Sequence, residues 1–188
     1  MITASKSKRA ARSLCEGALM IALAEILCFL PLYKMPWGGS IDLAMLPIFL
    51  FCARWGFGPG LLVSISQAVL QTLFEGGIAI GWQSILGDFL LAYSVLGVAG
   101  LFRSIKGGFY IGTLVGSGAR FLVHYVVGAT IWAEYMPEMF FSMTMTSPWL
   151  YSALYNGFYM VIDCIAVLVI GFFLMKTSAR PYLLPYSE

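Results

Sequence analysis

The stretch GSGARFLVHYVVGATIWAEYMP, residues 116–137, is a long and mostly apolar run that carries the single histidine of the chain. Arg120, His124, Gly128 and Trp132 recur within it at intervals of four residues. Residues at that spacing lie on one face of an α-helix. The run therefore predicts an apolar helix with one polar and aromatic stripe.

A second stretch with a similar pattern, SPWLYSALYNGFYMVID, covers residues 147–163. Tyr151, Tyr155 and Tyr159 repeat at intervals of four residues, and Asp163 continues the series. Polar and aromatic stripes inside apolar helices usually face a cavity, because lipid does not solvate them. We therefore expect the two stripes to face a binding site and not the lipid.

The composition is that of an integral membrane protein. Hydrophobic residues make up 60% of the 188 residues, charged residues 11%, and the mean hydropathy is +0.87. Soluble domains are less apolar, and apolar runs that do not alternate favour a helical bundle over a β-barrel. We expect residues 1–188 to form one all-α, membrane-embedded domain, and the net charge of +2 gives no indication of nucleic-acid binding.

Loop charge predicts the orientation of the chain in the membrane. An even number of crossings places both termini on one side, where most of the basic residues fall, and the positive-inside rule assigns that side to the cytoplasm. The basic start leads into the first segment without a small-residue cleavage site, so we expect a retained helix and not a cleaved signal peptide. The six predicted transmembrane helices cover roughly residues 13–32, 43–54, 59–75, 80–102, 108–132 and 148–175.

Counting residues from the outer helix ends places three polar side chains at one depth. Asp88, His124 and Asn156 each lie eight residues from the predicted outer end of their segment, about 12 Å at 1.5 Å per residue. Arg120 and Asp163 lie deeper. Because an unpaired arginine inside a membrane is costly, we expect these two residues to form a structural ion pair below the site.

The third segment adds a polar stripe whose role the sequence leaves open. Gln67, Gln71 and Glu75 follow one another at intervals of four residues, which places them on one helix face. They either line the cavity or form hydrogen bonds between helices.

The aromatic residues near the predicted site favour an organic cation as the ligand. Trp132, Tyr151, Trp149 and Trp37 are expected to enclose it, and Asp88 supplies negative charge. An aromatic face attracts an organic cation by about 0.5–2 kcal/mol. Trp37 lies in a glycine-rich loop, where it serves either as a lid or as an interfacial anchor. No cluster of lysine or arginine is expected in the outer layer, which argues against a phosphorylated ligand.

Sequence signatures of catalysis are missing. The sequence has no phosphate-binding loop for ATP, and one histidine cannot build a multi-histidine metal site. No spacing supports a catalytic set drawn from Ser152, Tyr151, His124 and Asp88. We expect a binding protein that is not an enzyme, with no cofactor and no metal, whose energy comes from a partner or an ion gradient.

Five motifs, in the order found here, make the chain resemble a known family. They are PWGGSI (36–41), LPIFLFCARWG (46–56), DFLLAY (88–93), ARFLVHYVVGATIWAEYMP (119–137) and SPWLYSALYNGFYM (147–160). The chain resembles the substrate-binding S-components of energy-coupling factor (ECF) vitamin transporters, and among these the thiamine-specific type. The resemblance covers nearly the whole chain. It implies a multi-pass protein of the bacterial cell membrane that binds thiamine with high affinity from outside.

The resemblance implies roles for residues of both stripes. His124 and Trp132 match the pair that sandwiches the thiazolium ring, and Gly128 leaves room between them. Tyr151 and Asn156 match residues that hydrogen-bond the aminopyrimidine. The expected site therefore draws on the fifth and sixth segments.

Three further positions follow from the same resemblance. Trp37 lies where the family has a loop aromatic that stacks on the pyrimidine. Asp88 lies where the family has an acid, either glutamate or aspartate. Phe89 stands at a position that can be tyrosine, so a hydroxyl contact to the ligand is expected to be missing here.

The resemblance also implies partners. An S-component docks on a transmembrane coupling protein that works with two cytoplasmic ATPases, and it then topples in the membrane to release the vitamin inward. Ala18 and Ala22 match the small-residue motif that contacts the coupling protein. The alternatives are an S-component for another vitamin or for a precursor such as hydroxymethylpyrimidine, a standalone transporter that uses Asp88 and His124 as proton carriers, and an intramembrane enzyme.

Overall fold

The structure is a computed structural model that describes the backbone of residues 2–178 and 180–186. It describes the side chains of residues 7–36, 38–178, 180, 181 and 184–186. Helices dominate this part of the chain. They are α1 (Ile2–Phe29), α2 (Met45–Trp55), α3 (Phe57–Glu75), α4 (Trp82–Phe102), α5 (Gly108–Thr130), α6 (Pro148–Leu174) and a short α7 (Arg180–Leu183).

The predicted apolar segments coincide with the helices α1 to α6 in position. The largest difference is at the first, which was expected to start near residue 13 and begins at Ile2. Among the described residues, three helical stretches are long and apolar enough to cross a membrane: Phe57–Ile78, Trp82–Phe102 and Pro148–Leu174. The fold is thus an all-α bundle with membrane-spanning character.

The short helix α2 occupies the core of the bundle. Met45, Ile48 and Phe49 are each 1% exposed, and Phe51 is 2% exposed. A helix that is apolar all round must be covered on every side. This explains how an 11-residue helix, too short for a straight crossing, is accommodated in an apolar bundle.

Helix α4 is irregular in a way that its sequence did not indicate. Its backbone is π-helical over Ile85–Leu91 and 3₁₀-helical over Val95–Phe102. Isolated π-helical turns are rare and occur often at functional sites, because the wider turn redirects side chains. The π-helical turn contains Asp88, the predicted intramembrane acid.

The loop between α1 and α2 forms a first hairpin that is held by α6. Strands β1 (Tyr33–Lys34) and β2 (Ser40–Ile41) pair in antiparallel fashion. The Tyr155 hydroxyl donates a hydrogen bond to the Pro36 carbonyl. The backbone N–H of Asp42, just after β2, donates to Asp163 Oδ1 at 3.0 Å. A second hairpin, β3 (Met139–Phe140) with β4 (Met143–Thr144), joins α5 to α6.

The predicted ion pair between Arg120 and Asp163 is wrong. Within the described residues, Arg120 has no carboxylate oxygen within 4.0 Å. Its guanidinium carbon lies 4.2 Å from the centre of the Tyr93 ring, a cation–π arrangement. Asp163, 2% exposed, instead accepts the backbone N–H of the first loop. Residue spacing did not indicate which of these groups would meet.

Candidate functional site

A cavity opens between the first hairpin and one end of the helices α3 to α6. Its volume is about 100 Å³. Its lining consists of Gly38, Gly39, Ser40, Glu75, Ile78, Asp88, Phe89, Tyr93, Arg120, His124, Gly128, Trp132, Tyr135, Tyr151, Ser152, Tyr155, Asn156 and Tyr159.

The carboxylate of Asp88 organises the wall formed by α4 and α5. Its Oδ2 accepts hydrogen bonds from the Ser84 hydroxyl and the Trp132 indole N–H, each at 2.8 Å. Its Oδ1 lies 3.0 Å from His124 Nδ1. A carboxylate offers about four acceptor positions, so three are already in use. Asp88 therefore fixes the orientation of two aromatic side chains, and little of its capacity is left for a ligand.

The proton arrangement on His124 follows from its two neighbours. Arg120 Nε donates to His124 Nε2 at 3.4 Å, so this nitrogen is the acceptor. The remaining nitrogen, Nδ1, then carries the proton and donates to Asp88 Oδ1. Arg120, His124 and Asp88 thus form a chain in which a neutral imidazole separates one positive and one negative group. This contact confirms the predicted shared depth of Asp88 and His124.

Close packing between helices brings these groups together. A Cβ built on Gly87 would lie 2.4 Å from Val127 Cγ2, which is closer than atoms can approach. The missing side chain lets α4 touch α5 next to Asp88. On the other side, a Cβ on Gly128 would lie 2.4 Å from Ser152 Oγ. The glycine that was expected to make room for a ligand also allows α5 to pack against α6.

The α6 side of the cavity is rich in hydroxyl and amide groups. Asn156 Nδ2 donates to the His124 carbonyl at 3.3 Å and to the Ser152 carbonyl at 3.0 Å. Asn156 Oδ1 accepts from the Tyr159 hydroxyl at 2.8 Å. Both ends of this amide therefore have protein partners. Tyr151 is half-buried and packs edge-on against Phe140, with ring centres 5.3 Å apart.

Of the seven predicted ligand-binding residues, six line the same cavity: Asp88, His124, Gly128, Trp132, Tyr151 and Asn156. The side chain of the seventh, Trp37, lies outside the described residues, although its neighbours Gly38 and Gly39 belong to the lining. Trp149, which was expected in the aromatic enclosure, is 45% exposed and is not among the lining residues.

Two lining residues carry charge that the sequence did not assign to the site. Arg120 was expected below the cavity and belongs to its lining. Glu75 was one of three polar residues at helical spacing on α3. Of these, Glu75 lines the cavity, Gln71 donates to Glu25 at 3.2 Å between α3 and α1, and Gln67 is buried away from the cavity. The cavity-lining role therefore holds for Glu75, and the hydrogen bond between helices holds for Gln71.

The predicted docking residues lie elsewhere on the surface. Ala18 and Ala22 are exposed on the outside of α1, next to the exposed apolar side chains Leu19 and Leu23. They do not contribute to the cavity. Their small side chains leave a shallow surface on which another helix can pack closely.

The fold and the site together define a helical membrane protein with an internal aromatic cavity. A family profile described as thiamine transporter protein matches residues 14–183. The chain belongs to this family.

Individual relatives agree with that assignment. Thiamine transporter ThiT of Bacillus subtilis is 30% identical over 191 aligned positions, which cover 94% of this chain and 96% of that protein. Thiamine transporter ThiT of Lacticaseibacillus paracasei is 24% identical and covers 76% of each chain. A solved structure of ThiT from Listeria monocytogenes matches with a TM-score of 0.81 at 23% identity, covering 94% of this chain and all of that one. The last comparison supports the fold.

Replacing Gly128 by alanine is expected to destabilise the bundle. The added methyl group meets Ser152 Oγ, and overpacking of this kind costs about 1–3 kcal/mol. Thermal unfolding of the detergent-purified variants measures the effect. In a Ser152→Ala background, which removes the clashing oxygen, Gly128→Ala should cost markedly less than in the unchanged chain. An equal cost in both backgrounds would contradict the packing role.

Proposed function

We propose that this chain is the thiamine-binding subunit of an ATP-driven ECF-type vitamin importer. Family membership supports this, and both curated relatives carry the name thiamine transporter. The observation that carries the proposal is the pair His124 and Trp132, which is held by one carboxylate in an aromatic cavity. Such a pair suits a flat organic cation, because imidazole and indole faces both attract one.

The proposed ligand pose follows the lining. The thiazolium ring lies between the faces of His124 and Trp132. The aminopyrimidine lies toward α6, where the Tyr151 hydroxyl is available and Asn156 approaches from below. Because the amide of Asn156 already has protein partners, it acts on the ligand chiefly by shaping the wall. Trp37 closes the cavity from the first hairpin.

We propose that the chain crosses a bacterial cell membrane six times. Thiamine then enters the cavity from the outside. Three stretches meet the requirement for a crossing, and α1, α2 and α5 complete the bundle. Both termini face the cytoplasm, because basic residues cluster at that end of the helices. They are Lys8, Arg9, Arg12, Arg54, Arg103, Lys106, Lys176 and Arg180.

Partner proteins supply the energy for transport in the proposed importer. The sequence has no ATP-binding loop, so transport needs a transmembrane coupling protein with two cytoplasmic ATPases. The exposed alanines Ala18 and Ala22 on α1 supply the docking surface. A small-residue surface of this kind brings two helix backbones close together inside a membrane.

Equilibrium binding to the purified chain tests the ligand. Thiamine should bind saturably and more tightly than its separate pyrimidine and thiazole fragments, because both ends of the cavity contribute. Trp132→Ala should weaken thiamine binding at least about tenfold, since it removes one face of the cation site and one donor to Asp88. Isothermal titration calorimetry gives both results.

The matched control is Trp149→Ala, which removes an exposed tryptophan outside the cavity lining. It should leave thiamine affinity within about twofold of the unchanged chain. No binding of thiamine to the folded, unchanged chain would reject the proposed ligand. Equal losses in the two variants would reject the proposed position of the site.

Docking is tested by adding bulk to α1. Ala18→Trp should leave thiamine affinity unchanged and abolish ATP-dependent uptake in cells that express the partner subunits. Leu122→Trp places the same side chain on an exposed, apolar position of α5, where Leu122 is 58% exposed, and should preserve uptake. Uptake that survives Ala18→Trp would remove α1 from the docking surface.

A further inference from the structure

We infer that Glu75 is the carboxylate that complements the positive charge of the ligand and selects a cationic ligand over a neutral one of the same shape. This inference rests on the proposed function. Sequence patterns point to Asp88 as the negative charge of the site, whereas the contacts in the cavity point to Glu75 at the end of α3.

Of the two carboxylates among the described lining residues, one has a counter-charge within the lining and the other does not. Among the described lining residues, the carboxylates are Glu75 and Asp88, and the guanidinium is Arg120. Asp88 is connected to Arg120 through His124 by contacts of 3.0 and 3.4 Å. Its charge therefore has a counter-charge within the wall. The negative charge left over in the cavity belongs to Glu75.

The hydrogen bonds made by the two carboxylates also point to Glu75. Three donors occupy the Asp88 carboxylate. In the described part of the chain, the cation near Glu75 is Lys34, whose ammonium lies 3.6 Å from Oε1. The Lys34 side chain is 66% exposed, and exposed ion pairs of this length contribute little. Glu75 keeps most of its acceptor capacity and its charge for the cavity.

The position of Glu75 suits this role. Its side chain is 25% exposed and belongs to the cavity lining, and its ion-pair partner Lys34 belongs to the first hairpin. Charges interact more strongly at a partly buried position than in water. A bound cation in the cavity competes with Lys34 for this carboxylate. Because Lys34 lies on β1, the same carboxylate also contacts the first hairpin.

The test compares two ligands that differ in charge. Affinities are measured for thiamine and for its neutral isostere, in which carbon replaces the quaternary ring nitrogen. The ratio of the two dissociation constants reports the preference for the charged ligand. Because the two ligands have the same shape, changes in how well the cavity fits that shape cancel in the ratio. In Glu75→Gln this preference for the cation should fall about tenfold, because the substitution keeps the size of the side chain and removes its charge.

Glu134→Gln is the matched control. It removes the same charge from an exposed position on the loop after α5, outside the cavity lining, and should keep the ratio of the unchanged chain. Lys34→Gln is a second, independent variant, and it should increase the preference for thiamine because the competing ammonium is gone.

Each outcome bears on the inference. A ratio in Glu75→Gln within about twofold of the unchanged chain overturns it, as does an equal fall in Glu134→Gln. If Glu75→Gln does not fold, the Lys34→Gln variant decides. A preference for thiamine in Lys34→Gln that is unchanged or lower overturns the inference. An unchanged chain that binds neither ligand contradicts the proposed function itself, whereas tight thiamine binding with no effect of Glu75 contradicts this inference alone.

Discussion

The site depends on one partly buried carboxylate, Asp88, inside an apolar bundle. Desolvating a carboxylate costs several kcal/mol, and the cost is met here by three hydrogen bonds to Asp88. Hydrogen bonds to a charged group contribute about 1.5–3 kcal/mol each. Ser84 lies on α4, His124 lies on α5 and Trp132 follows α5, so the need to satisfy Asp88 holds α4 against α5 and orients both aromatic side chains.

The rest of the cavity follows from how α6 is held. Its Tyr155 and Asp163 bind the backbone of the first hairpin and the residue after it, and Asn156 binds the backbone of α5. One helix therefore positions the roof and one wall together. The buried helix α2 supports this arrangement from below, since Phe49 packs where Gly116 leaves space on α5. Polar contacts thus define the half of the bundle that holds the cavity, and apolar packing defines its centre.

Sequence patterns predicted this architecture where a single helix determines the outcome. Spacing of four residues placed His124 and Trp132 on one face, and counting along helices placed Asp88 at the depth of His124. Patterns within one helix could not predict the partner of Arg120, because that depends on the irregular turn of α4 and on the hairpin that occupies Asp163. They also could not decide which members of the stripe Gln67, Gln71 and Glu75 would line the cavity, and Glu75 does so whereas Gln67 does not.

We propose that Asp88 acts on the ligand by holding Trp132 and His124 in place. A double-mutant cycle of thiamine affinity tests that directly, with Asp88→Asn, Trp132→Phe and the two combined. Phenylalanine keeps an aromatic face and lacks the indole N–H that donates to Asp88. The combined variant should lose little more affinity than the weaker-binding single variant. Losses that simply add would mean that Asp88 contacts the ligand independently of Trp132, and they would contradict this role of Asp88.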